Sequence, residues 1–128
     1  MRKQSPTLTP PELEIMRIVW QKSEATVRDV YETLRERRKV AQTTVLTVIT
    51  VLEAKGYLKR RRDQRPAVYV PTRPERAVEQ SMVREFIDRV FKGSTRPLLV
   101  HLLEDRRLSP AELEDLMRQV RASREKKR

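Results

Sequence analysis

The chain contains no cysteine, so neither a disulfide framework nor a thiolate metal site is open to it. Its single histidine, His101, has no placed Ser or Asp partner, and one imidazole alone cannot build a tetrahedral metal site. Two glycines are too few for a phosphate-cradling loop, and no pair of carboxylates sits in an apolar setting. This inventory argues against an enzyme; no cofactor, metal or small-molecule substrate is expected. The apolar runs are a few residues long, well short of the roughly 18 that span a bilayer. Met1-Arg2-Lys3-Gln4 is not followed by an apolar signal core, so a cytoplasmic protein is expected.

What the chain has in excess is positive charge, and it is unevenly placed. Over 128 residues the formal net charge is +11. Residues 1–36 carry six basic and six acidic groups, whereas residues 37–65 carry nine basic groups against Glu53 and Asp63. A field concentrated on one element suits a polyanion partner, while charge needed only for solubility would be spread about. A solvated basic face with no partner is the plainer alternative. With 38% of residues apolar and 37% charged, the core is modest, enough for one small domain with an appendage.

Thr9-Pro10-Pro11-Glu12 has the layout of a capping box with proline at the first helical position, and Leu13, Met16 and Val19 or Trp20 follow at helical spacing. The first helix should run to about Lys22. Thr26-Val27-Arg28-Asp29 is a second start signal, with Val27, Val30, Tyr31 and Leu34 on one face, fading near Arg37.

In Thr43–Val51 propensity and pattern disagree. Every residue there but Leu46 is β-branched, which favours a strand. Yet Val45, Val48, Ile49 and Leu52 fall at i, i+3, i+4 and i+7, and Thr44, Thr47 and Thr50 recur every third residue. The spacing predicts a helix over 41–55 with Thr43, Thr47, Thr50 and Ala54 opposite its apolar face, closed by Lys55 and a C′ glycine, Gly56.

After Gly56 the period changes. Tyr57 to Arg62 and Ala67 to Val70 read as two short strands joined by a turn at 63–66, with Leu58, Val68 and Val70 facing inward. A hairpin directly behind a helix-turn-helix is a wing. The expected fold is mainly α with a small antiparallel β wing: a winged helix-turn-helix DNA-binding head over 1–72 and a helical dimerisation region over 73–128.

Beyond Pro71 the charge reverses, with nine acidic against seven basic groups over 75–115, so no second nucleic-acid surface is expected. Pro74 and Glu75 open a helix in which Val78, Met82, Phe86 and Val90 form a row, ended at Gly93-Ser94. Leu98, Leu99, Leu102 and Leu103 mark a short helix, and Ser109-Pro110-Ala111-Glu112 caps another carrying Leu113, Leu116, Met117 and Val120. Three helices of this length cannot bury such rows alone, which points to a homodimer through Val78, Met82, Phe86, Val90, Leu99, Leu102, Leu103, Leu113, Leu116 and Met117. A bundle folded back on the wing is the other possibility. The basic tail, Arg118 to Arg128, is expected to fray into solvent.

Leu8-Thr9, Val19-Trp20, Thr26-Val27-Arg28-Asp29-Val30, Ala41-Gln42-Thr43-Thr44-Val45-Leu46-Thr47-Val48, Leu52-Glu53-Ala54-Lys55-Gly56 and Tyr69-Val70-Pro71, in that order, resemble the penicillinase-repressor family of the BlaI/MecI type. The resemblance implies a bacterial winged-helix repressor that binds a palindromic operator in double-stranded DNA as a dimer and is inactivated through a membrane-bound sensor metalloprotease. Val51 stands where members commonly carry a basic residue. Members of the antibiotic-responsive type are cut in the C-terminal region, often at Asn-Phe, and this chain has no Asn; the corresponding stretch is Arg96 to Leu103. The Cys-x-Cys metal pattern of copper-responsive relatives is also absent.

A helix with so little bulk outward can lie deep in a major groove about 12 Å wide. Thr43, Thr47 and Thr50 can reach phosphates, base edges or thymine methyls, Gln42 and Thr44 sit near the helix start, and Leu46 either flanks the core or meets a thymine methyl. Lys59, Arg60, Arg61, Arg62 and Arg65 fit phosphate clamps that fix register without choosing sequence. Two other readings remain: a winged-helix regulator sensing a small ligand at a dimer interface, and a non-specific architectural DNA binder.

Overall fold

A computed structural model describes residues 7–61 and 63–126, and among them six helices and one two-stranded antiparallel sheet. The order is α1 (Pro10–Lys22), α2 (Val27–Arg35), α3 (Gln42–Ala54), β1 (Leu58–Arg61), β2 (Val68–Pro71), α4 (Glu75–Phe91), α5 (Arg96–Glu104) and α6 (Pro110–Lys126). The chain divides into two compact units, one ending at Glu85 and the other beginning at Phe86, inside α4.

The first unit is the winged-helix head. Helices α1 and α2 start where their capping boxes place them. Thr9 Oγ1 accepts from the Glu12 N–H while Glu12 accepts from the Thr9 N–H, and Thr26 and Asp29 repeat the exchange. Helix α3 has no such side-chain cap, Ala41 being its N-cap, and its helical state comes from packing. Val45, Ile49 and Leu52 are fully buried against Met16, Val19, Val30 and Leu34, each burial stabilising the head by about 1.5–3 kcal/mol. Tertiary burial of the i, i+4, i+7 row thus overrides the β preference of the branched side chains. The helix ends in a Schellman motif: Gly56 at φ 88° lets its own N–H reach the Glu53 carbonyl and the Tyr57 N–H reach that of Leu52.

In the wing, Leu58 pairs with Pro71, Lys59 with Val70, Arg60 with Tyr69 and Arg61 with Val68. Paired residues share a face, so Leu58 lies beside Tyr69 and Pro71, not beside Val68 and Val70 as expected. Tyr69 replaces Val70 as an inward residue, and Val70 is half-buried. Tyr69 also forms a bridge with Ala25, exchanging both backbone hydrogen bonds at 2.8 and 3.0 Å. That bridge sets β2 between β1 and the loop before α2, so at Tyr69 both edges of the strand are hydrogen-bonded. The first turns of α4 belong to the head as well: Val78 is buried in its core and Met82 packs against it, while Trp20 Nε1 donates to the Arg73 carbonyl at 2.9 Å.

In the second unit, the end of α4 is closed by Gly93, whose N–H reaches back to Ile87 at φ 84°. Phe91 stacks edge-on with Phe86 and tilted with His101, both at 5.8 Å between ring centres. Ser109 and Glu112 form the expected capping box of α6. The basic tail is not frayed as expected, because α6 continues to Lys126. Helix formers fill its last turns, the Gln119 amide donates to Asp115, and Arg124 and Lys126 complement the C-terminal dipole. Neither α5 nor α6 has a single buried residue in the lone chain.

Candidate nucleic-acid interface

Along the face of α3 that points away from the head core, Gln42, Thr43, Thr44, Thr47 and Thr50 are all exposed. Leu46 is 47% exposed and Val51 39%, so Leu46 stands outside the core and the threonine stripe is flanked by aliphatic side chains on both sides. Two hydroxyls are already committed. Thr47 donates to the Thr43 carbonyl at 3.0 Å and Thr50 to the Leu46 carbonyl at 2.8 Å. What these two residues turn outward is a γ-methyl and the lone pairs of an oxygen that has no free hydrogen.

Beside this face runs a groove of about 410 Å³ lined by Thr26, Val27, Arg28, Gln42, Leu46, Arg60, Pro66, Ala67 and Tyr69. It joins the start of α3, the start of α2 and the wing. Arg60 enters it because Arg60 shares the Tyr69 face of the hairpin, while Lys59 and Arg61 project from the opposite face. Arg61 meets Glu24 at 3.1 Å in a solvent-exposed pair, tethering the wing to the loop before α2. Arg65 is exposed beyond the strands, and Arg62 lies outside the described residues.

Arg28 was not anticipated. Its position in the second residue of α2 gave no sign that the wing would close a groove over it, since that placement depends on the Ala25–Tyr69 bridge. It stands 3.6 Å from Glu32. The charged run before α3 is only partly available: Arg38 pairs with Glu14 at 2.7 Å, and Arg35 pairs with Glu32 and lies over the Tyr31 ring at 5.7 Å.

The far end of α3 is held from below. Glu12 is 6% exposed, and its two oxygens receive the Lys55 ammonium at 2.9 Å each, in addition to the Thr9 N–H. Burial pushes the Glu12 carboxyl up, but the Thr9 N–H and Lys55 together outweigh it and hold the carboxyl below its ordinary value. Lys55, expected only to complement the helix dipole, thus pins the C-terminus of α3 to the first turn of α1. Next to it Tyr57 is buried with a hydroxyl that has no hydrogen-bond partner among the described residues, and burial raises its pKa.

The residues expected at a dimer interface fall into two groups. Val78 and Met82 are taken up by the head, as described above. Phe86, Val90, Leu99, Leu116 and Met117 are exposed, and Leu102, Leu103 and Leu113 half-buried. Among the described residues no group of His, Asp or Glu side chains is arranged to hold a metal ion, and no helix is long and apolar enough to cross a membrane.

Comparison with known proteins gives a consistent picture. The family model described as penicillinase repressor matches residues 8–122. Over 105 residues the chain is 30% identical to the methicillin resistance regulatory protein MecI of Mammaliicoccus sciuri, covering 82% of this chain and 85% of that protein. A penicillinase repressor of Bacillus licheniformis is 26% identical over 114 residues, 89% of each chain. Among solved structures, the solution structure of the DNA binding domain of the repressor BlaI matches with a TM-score of 0.52 at 28% identity, covering 58% of this chain and 90% of that domain.

Proposed function

Because the chain belongs to the penicillinase-repressor family of bacterial transcriptional repressors, we propose that it acts as a homodimer on a palindromic DNA operator. Helix α3 enters the major groove of each half-site, and the wing lies on the adjacent phosphates. One observation carries this reading: the uncharged outer face of α3 and the guanidinium of Arg60 border the same groove. A duplex that takes up the helix therefore meets the cation. Lys59, Arg61, Arg62 and Arg65 extend the positive field, and each phosphate neutralised adds about −0.9 to the slope of log affinity against log salt.

The dimer is supported by the exposed apolar rows of α4 to α6, which within one chain leave Val90 and Val120 each 50% exposed. A two-fold pair of heads suits half-sites about one DNA turn apart. Release through a membrane-bound sensor metalloprotease belongs to the same proposal and is supported by family membership. If release is proteolytic, mass analysis of the induced protein should find a cut within residues 96–103, and an intact chain after induction would exclude it.

The test is selection of duplexes from a random pool by the purified protein. An inverted repeat should emerge, preferred over random duplex by ~10³ or more. A pool that stays random would leave a non-specific binder and end the repressor reading.

A further inference from the structure

We propose that α3 identifies its half-site by thymine methyl groups, so that the ligand class is A·T pairs presenting their 5-methyls in the major groove. This rests on the operator-binding reading above and adds what is read there.

Guanine shows only the acceptors N7 and O6 in the major groove, so recognising it takes hydrogen-bond donors. Past Thr44, α3 has none to give. The hydroxyl hydrogens of Thr47 and Thr50 are bound to the Thr43 and Leu46 carbonyls, and the sole charged residue of the helix, Glu53, is an acceptor. What remains is a continuous aliphatic strip, Leu46, Thr47, Thr50 and Val51, with Leu46 and Val51 more than a third exposed on either side. A thymine presents a methyl and its paired adenine an N6 amino group. The first suits the strip, and the second suits the lone pairs of Thr47 and Thr50. Gln42 and Arg60 at the mouth of the neighbouring groove set where the strip lies, and the surrounding positive charge makes DNA the fitting occupant of this apolar surface.

The experiment replaces thymine by uracil in the palindrome chosen from the random pool, which removes methyls and leaves every hydrogen-bonding group in place. Binding should weaken about four-fold for each contacted methyl lost, while the same replacement outside the half-sites, or in a random duplex, should change nothing. Protein variants give the reciprocal arm. Thr47→Val, which keeps a methyl and discards the hydroxyl, should retain the preference for thymine over uracil. Thr47→Ser, which does the opposite, should bind the thymine duplex less well and discriminate less.

Equal binding of the uracil and thymine palindromes would overturn the inference and leave the repressor reading standing. Selected half-sites that turn guanines toward α3 would do the same. A pool without any preferred sequence would overturn the repressor reading, and the inference with it.

Discussion

Tyr57 and Glu12 sit within the same few ångströms of the head and carry opposite electrostatic histories. The Tyr57 hydroxyl is buried without a partner among the described residues, and leaving such a group unpaired costs about 1–3 kcal/mol. Tyr57→Phe should therefore leave the thermal midpoint unchanged or raise it, by up to about 1 kcal/mol of stability. A clear loss would mean that the hydroxyl has a partner after all. Glu12 is the reverse case, a buried carboxylate that accepts three hydrogen bonds, one from the Thr9 N–H and two from the Lys55 ammonium. Since folding holds its carboxyl below the ordinary value, the stability it contributes is complete above the ordinary carboxylate range and is lost as pH falls through the depressed folded value. Glu12→Gln, which retains the cap but not the charge, should destabilise the head by about 1–2 kcal/mol at neutral pH. That difference should shrink in acid unfolding experiments below the carboxylate range; a gap independent of pH would contradict the ionised pair. The capping role of Glu12 is legible in the chain, because Thr9 stands three residues before it. Its pairing with Lys55 is not, since nothing local in the sequence signals a contact 43 positions apart.

Elements were legible where a short-range pattern carried them. Period decided α3 against the β propensity of eight valine, isoleucine and threonine residues between Thr43 and Val51, and the capping boxes of α1, α2 and α6 marked their starts within a residue. The hairpin itself was visible, but its facing was not: one position of register moves every side chain to the other face, and the Ala25 bridge that sets it is a single residue pair without periodicity. The consequence reaches the candidate interface, because register places Arg60 on the α3 side and Lys59 and Arg61 on the other. Arg60→Ala should weaken operator and random duplex alike and reduce the magnitude of the salt slope by about 2 for a dimer, one phosphate per protomer. A loss confined to the operator would make Arg60 a base reader and contradict its role as a clamp. The helical tail was missed for a different reason. High charge suggests solvation, yet Arg, Lys, Glu and Ala are good helix formers, and an exposed helix is as well solvated as a loose end.

At the scale of the whole molecule the head is complete and the remainder is not. Fifteen buried apolar residues form one cluster in the first unit, whereas α5 and α6 bury none. The apolar rows were plain in the sequence; which of them the head would absorb was not, because that depends on α4 beginning within the head and delivering Val78 to its core. Leu116 and Val120, one turn apart on α6 and 46% and 50% exposed, are placed to test what covers the rest. Leu116→Asp with Val120→Asp should leave each head folded, give a monomer in sedimentation at micromolar concentration, and lower operator affinity by about 10²-fold or more through lost avidity. A double variant that still sediments as a dimer would exclude this face. Whether two heads read one inverted repeat is decided by titrating the selected palindrome and a shuffled duplex of equal length and composition under the same salt. Two chains per palindrome and a preference of ~10³ or more are expected; one chain per duplex, or equal affinity for both, would contradict the account.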